Sequence, residues 1–211
     1  MRERIRGAAV RAGRDPEGIE ICVVTKQADI PQIRDAVAAG ARILGENRVQ
    51  VAESKILQLR DLDVRWHLIG NLQRNKARRA LELFHEVESV DSLRLARRLS
   101  ELGGELGRVV PVLFEVLTSD EVTKSGFPEA HVVDAVAEAR ELPGIDVGGL
   151  MTMAPLTDDE TRVRRSFATL RRLAEAAFPA GATLSMGMSD DFELAVEEGS
   201  TRVRVGSAIF S

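Results

Sequence analysis

The chain has 211 residues and a mass of 23.1 kDa, enough for one well-buried domain and short for two. Its make-up is 44% hydrophobic and 29% charged with a formal net charge of -4, which suits a soluble protein and argues against a nucleic-acid partner, since that calls for a basic face. No window approaches the ~18 to 20 uninterrupted apolar residues that span a bilayer, and Met1-Arg-Glu-Arg-Ile-Arg6 has no apolar stretch of signal-peptide type behind it. The single cysteine, Cys22, lies in the apolar run Ile19 to Val24, so it forms no internal disulfide, reads as a core residue and fits a reducing cytoplasm.

A first amphipathic segment, Arg2 to Ala12, predicts a helix. Short β-branched runs then alternate with longer Ala/Arg/Glu/Leu-rich ones. The predicted strands are Glu20 to Thr25, Ala41 to Leu44, Val64 to Ile69, Glu86 to Val90, Val109 to Val116, Val147 to Met151, Thr183 to Met186 and Arg202 to Val205. The predicted helices between them are Ile30 to Ala39, Val49 to Leu59, Gln73 to Leu83, Ser92 to Leu102, Ala130 to Arg140, Asp158 to Ala177 and Asp191 to Glu198. Repeated βα units build a parallel sheet covered by helices. Eight of them predict an α/β fold, a single (β/α)8 TIM barrel over residues 1–211, with no linker to mark a boundary. A doubly wound open sheet binding a dinucleotide would be expected to carry a glycine fingerprint after its first strand; here that strand runs into Thr25-Lys26-Gln27.

In a barrel, functional residues gather where strands end. Strand one ends at Lys26, strand two at Gly45-Glu46-Asn47, strand three at His67 and Gly70-Asn71, strand six at Met151-Thr152-Met153, strand seven at Gly187-Met188-Ser189 and strand eight at Gly206-Ser207. These ends are rich in Gly, Ser, Asn and Lys. The three histidines, His67, His85 and His131, lack metal-site spacing, so no metal is expected. The last two ends offer what a phosphate needs: glycine-freed backbone N-H groups, the Ser189 hydroxyl and a helix N-terminus. Asp190 with Glu193 fits a capping box, which leaves Asp190 and Asp191 to the following helix rather than the phosphate.

Lys26 has two readings, an amine snorkelling to solvent or a partly desolvated nucleophile at the barrel mouth, activated toward an aldehyde. With a phosphate cradle opposite, the second reading suggests pyridoxal 5'-phosphate (PLP), the amine forming an imine and the loops after strands seven and eight holding the phosphate. Arg204 is placed either beside the pyridine nitrogen, keeping it unprotonated, or against a carboxylate inside the barrel. Asn47 and His67 are candidates for contacts to the ring substituents, or are structural. Lys124 beside Gly126 is a second amine near the mouth or a solvated side chain, and Arg74, Lys76, Arg78 and Arg79 read as a solvated helix face.

These residues resemble the pyridoxal phosphate homeostasis protein family. The matching blocks are Val23-Val-Thr-Lys26, Gly45-Glu-Asn-Arg-Val-Gln50, Trp66-His-Leu-Ile-Gly-Asn-Leu-Gln-Arg-Asn-Lys76, Ser89-Val-Asp91, Lys124-Ser-Gly126, Gly149-Leu-Met-Thr-Met153, Leu184 to Asp191 and Gly199 to Phe210. The resemblance implies a barrel similar to the N-terminal domain of alanine racemase, PLP held as a Schiff base on Lys26, and phosphate contacts from Ser189, Gly206 and Ser207. It also implies Arg204 near the ring nitrogen, with Asn47, His67 and Met153 completing the cofactor-binding set. Its implied role is the balance of vitamin B6 and amino-acid pools without established turnover, with PLP and the apo-enzymes that use it as partners. Ser207 stands where many members have threonine, Thr25 where serine is common and Arg48 where tyrosine is common; the chain begins late in the usual first helix and lacks a C-terminal tail seen in many members.

A two-base racemase of the barrel type opposes its lysine with a tyrosine from a second domain, and this chain has no tyrosine. A racemase of that design is therefore not expected; the expectation is a PLP carrier, monomeric for want of an obvious interface patch and cytoplasmic from its cysteine content and N-terminus. A small PLP-dependent amino-acid racemase or lyase of another design stands as the alternative, and a barrel enzyme using Lys26 on another phosphorylated metabolite as the third.

Overall fold

A computed structural model describes residues 1–119 and 125–210. Nine strands, β1 (Glu20–Val24), β2 (Ile43–Glu46), β3 (Arg65–Leu68), β4 (Glu86–Val90), β5 (Val110–Leu117), β6 (Phe127–Pro128), β7 (Ile145–Met151), β8 (Thr183–Ser185) and β9 (Arg202–Val205), are described. The helices are α1 (Arg2–Arg11), α2 (Ile30–Ala38), α3 (Val49–Gln58), α4 (Ala77–Leu83), α5 (Leu93–Glu105), α6 (Glu129–Ala139), α7 (Glu160–Ala177), α8 (Phe192–Glu197) and α9 (Ser207–Phe210). The strands pair in parallel in the order β4-β3-β2-β1-β9-β8-β7-β5, and β4 pairs β5 to close the ring. This is the expected eight-stranded parallel barrel, with β6 a two-residue addition at the edge of β5.

Two elements escaped the sequence reading for a physical reason. Phe127–Pro128 is too short for any periodicity, and Pro128 tolerates only an edge position. Ser207–Phe210 is a single helical turn. Strand two also starts later than expected, at Ile43 rather than Ala41, and runs through Glu46.

The main core lies between the outer faces of the strands and the helices, where Leu44, Leu68, Leu99, Phe114 and Phe167 are buried. The Phe114 and Phe127 rings stack at 4.6 Å, tying β6 to the barrel. A smaller cluster packs Ile5, Ala8 and Ala9 of α1 on Phe192 and Val196 of α8 and on Val203 and Val205 of β9. Exposed pairs from Arg4 to Glu193 and from Arg11 to Glu197 run along the same seam. Among the described residues no helix is long and apolar enough to cross a membrane.

The interior of the barrel is more polar than its strands suggest. Side chains alternate along a strand, and several buried positions on β3, β4, β8 and β9 are polar: His67, Glu86, Glu88, Ser185, Arg202 and Arg204. They hydrogen-bond to one another across the barrel, which is how ionic groups persist where water is scarce.

Candidate functional site

Lys26 lies one residue beyond Thr25, in a turn closed by the Ala28 N-H donating to the Thr25 carbonyl at 3.0 Å. It lines a cavity of about 140 Å³ with Val24, Gln27, Gln32, Gly206, Ser207 and Phe210. The turn carries Lys26 past the strand end, and the residue is exposed.

Across the cavity the loops after β8 and β9 meet. The Ser189 hydroxyl oxygen accepts from the Gly206 N-H at 3.4 Å and from the Ala208 N-H at 3.3 Å. Two backbone donors thus converge on the Ser189 hydroxyl oxygen, a cluster of N-H groups of the kind that makes an anion-binding nest. Gly206 is needed for close approach: a Cβ there would stand 2.9 Å from the Val24 carbonyl oxygen. Gly187 is needed for its backbone, since its φ of 94° is a left-handed value and a Cβ would come within 2.5 Å of the Ala195 Cβ. Ser207 is exposed on the same rim. Ala208 escaped the sequence reading because a backbone N-H leaves no mark on residue type.

The expected Asp190–Glu193 capping box does not form. Asp191 is the residue before α8, and its Oδ1 accepts from the Met188 N-H at 2.5 Å instead of capping the helix. Burial pushes the Asp191 carboxyl up, against the Met188 hydrogen bond and the Arg204 charge, which pull it down. Glu193 pairs with Arg4 and Arg11.

Arg204 is buried under the rim. Its guanidinium donates to the Ser185 carbonyl at 2.7 Å, the Ser185 hydroxyl at 2.8 Å and the Thr152 carbonyl at 2.8 Å, all neutral oxygens. The barrel carboxylates are taken by Arg202, which reaches Glu20 at 2.7 Å, Glu86 at 2.6 Å and Glu88 at 3.1 Å.

His67 is not at the rim. Because β3 runs on to Leu68, His67 lies one layer down, fully buried, with Nδ1 2.7 Å from Glu88. Glu88 Oε2 in turn accepts from the Ser185 hydroxyl at 2.5 Å, so His67 reaches Arg204 only through Glu88 and Ser185. Burial alone would push the Glu88 carboxyl up, but the His67 hydrogen bond and the charges of Arg202 and Arg204 bring it down to about 2. His67, Glu86 and Glu88 are close enough to suggest a metal centre, yet the Arg202 guanidinium already supplies the cation between the two carboxylates.

The remaining predicted residues line two other depressions. Asn47, half-buried just past β2, lines one with Arg48, Gln50, Asn71 and Lys76. Met153, half-buried past β7, lines another with Met188, Asp190 and Asp191. Lys26, Gly206 and Ser207 thus share one cavity, Ser189 is bonded to Gly206 at its edge, Arg204 and His67 are buried within the barrel, and Asn47 and Met153 line separate depressions past β2 and β7. Lys124 lies outside the described residues. Arg78 and Arg79 pair with Glu105, Glu53 and Glu82 on the outer surface, as a solvated face would.

The family model for the alanine racemase N-terminal domain matches residues 1–211. The pyridoxal phosphate homeostasis protein of Pseudomonas aeruginosa is 43% identical over 208 residues, covering 98% of this chain and 90% of that protein. The structure of PipY of Synechococcus elongatus with PLP bound superposes with a TM-score of 0.86 at 38% identity, covering 100% of this chain and 99% of that one. An alanine racemase of Clostridium difficile, at 15% identity and a TM-score of 0.76 over 99% of this chain and 56% of that one, shares the fold. With a barrel of this topology and a match of this extent, the chain belongs to the alanine racemase N-terminal domain family and, within it, to the pyridoxal phosphate homeostasis proteins.

Proposed function

We propose that this protein binds pyridoxal 5'-phosphate at the barrel mouth and serves PLP and amino-acid homeostasis by holding and supplying the cofactor, without established catalytic turnover. The observation that carries this is the convergence of the Gly206 and Ala208 N-H groups on Ser189 Oγ, beside the cavity that Lys26 lines. That donor set fits a phosphate, and the lack of a Cβ at Gly206 lets its backbone pack against Val24 at the cavity. The PLP-bound PipY relative supports the same ligand.

When bound, PLP brings an aldehyde that an amine captures and a pyridine ring whose electron demand depends on its nitrogen. Lys26 is the amine that would hold the aldehyde. Ser189, Gly206 and Ser207 would bind the phosphate, with Ala208 added as a donor. Arg204, bonded among the described residues to neutral oxygens, would face the ring nitrogen and keep a proton off it. Asn47 and Met153 would bound the ring on either side, and His67 would contribute through Glu88 and Ser185.

Residues 1–211 act in this reading as one PLP-binding unit, monomeric and cytoplasmic, that hands PLP to apo-enzymes. The exposed large apolar side chains, among them Val10, Val51, Val109 and Leu156, are spread over separate elements, which supports the monomer. The lone buried Cys22 supports a reducing compartment.

Comparing the affinity for PLP with that for pyridoxal, which lacks the phosphate, tests the reading. PLP is expected to bind at least about tenfold tighter, given charge-assisted bonds to the phosphate. Equal affinities would contradict it.

A further inference from the structure

The turn that carries Lys26 is held from outside the barrel by groups with no part in the contacts proposed above. The Thr25 hydroxyl donates to Glu46 Oε1 at 2.7 Å. The Thr25 carbonyl accepts twice, from the Ala28 N-H at 3.0 Å and from Lys55 Nζ at 2.5 Å. Lys55, on α3, also donates to Glu46 Oε1 at 2.8 Å. Thr25 and Glu46 are fully buried and the Lys55 side chain is only 13% exposed. Glu46 Oε2 has no hydrogen-bond partner among the described residues.

A buried ion pair of this kind adds little net stability against apolar residues of the same volume. Its consequence here is geometric. The ammonium fixes the carbonyl of the residue immediately before Lys26 and ties the turn to α3 and to the end of β2. An amine that must meet an aldehyde at a fixed distance from a phosphate cradle needs such a support, because small misplacements at a site are costly.

We propose that Lys55, seated on Glu46, is a positioning residue that sets the orientation of Lys26 and so the lifetime of the cofactor on it. The proposal rests on the reading of Lys26 as the PLP-bearing residue.

The test compares PLP-loaded wild type with four variants: Lys55→Met, the double variant Lys55→Met with Glu46→Leu, which leaves no buried carboxylate unpaired, the conservative Lys55→Arg, and Leu99→Ala. Leu99 is a fully buried residue of α5, so its variant reports general destabilisation. Two quantities are read, the induced circular dichroism of the cofactor band and its rate of loss on dilution. Both Lys55→Met variants are expected to lose PLP about tenfold faster, the scale of one hydrogen bond to a charged group, with altered dichroism. Lys55→Arg restores both readouts, and Leu99→Ala leaves the dichroism unchanged. A double variant with wild-type dichroism and release rate would overturn the positioning role. A wild type with no cofactor band would overturn the binding reading itself, and this role with it.

Discussion

Arg202 and Arg204 stand two residues apart on β9 and are both buried, yet only Arg202 is neutralised by carboxylates: Glu20, Glu86 and Glu88 pair with it, whereas Arg204 bonds to Ser185 and Thr152 oxygens. One strand thus carries a structural arginine deep in the barrel and, one layer nearer the mouth, an arginine held directly by neutral oxygens, with its charge felt by Glu88 and Asp191.

That difference gives opposite expectations for the two residues. Arg202→Met leaves the buried carboxylates Glu86 and Glu88 without their cation and should cost about 3–5 kcal/mol in denaturant unfolding. Arg204→Gln should cost less stability, shift the absorption maximum of bound PLP and weaken its binding by about tenfold, the scale of one charge-assisted bond. If the two variants were equally destabilised and the PLP spectrum of Arg204→Gln matched wild type, the division of labour would be wrong.

Glu88 makes the fold acid-sensitive. Its carboxyl is brought down to about 2 in the folded protein, against the ordinary glutamate value of 4.5. A lowered carboxylate stabilises the fold above its unfolded value, and the benefit is lost as pH falls from there through about 2. The stake is about 3 kcal/mol by linkage. Unfolding free energy should therefore drop between pH ~4.5 and ~2, and Glu88→Gln should be less stable at neutral pH with a flatter acid limb. An identical acid limb in that variant would rule Glu88 out as the source.

Ser189→Ala removes a hydroxyl but leaves both backbone donors. PLP affinity should fall about tenfold, while pyridoxal affinity, having no phosphate to lose, should stay the same. Equal losses for both ligands would mean that Ser189 does not meet the phosphate.

Gly206→Ala places a Cβ 2.9 Å from the Val24 carbonyl oxygen and 3.2 Å from the Val24 Cβ. The crowding should cost about 1–3 kcal/mol in thermal or denaturant unfolding and weaken PLP binding as well. Gly148→Ala meets nothing within 4 Å and serves as the control. Comparable effects from both substitutions would contradict the close packing of Gly206 against the end of β1.

The eight βα units were legible because each joins a short β-branched run to a long amphipathic one. That Lys26, Ser189, Gly206 and Ser207 lie near one another was legible because a barrel brings every strand end to one mouth. What remained hidden follows from geometry that residue type does not encode. His67 has strand neighbours on both sides in the sequence, but residue type does not say how deep in the barrel its ring sits, and that ring is buried against Glu88. The Ala208 donor is backbone. Asp190 and Glu193 have capping-box spacing, but Asp191 turns back to the Met188 N-H, and α1 supplies arginines that draw Glu193 away. The Lys55–Thr25 contact joins residues 30 apart and needs the folded α3 to exist.

The most direct test of the central claim is the absorbance spectrum of the purified protein with added PLP, before and after borohydride reduction, beside Lys26→Ala. The account predicts a near-visible band in the wild type that reduction fixes covalently to the peptide containing Lys26, and its loss or displacement in the variant. No band in the wild type, or a reduced adduct on any other residue, would contradict it.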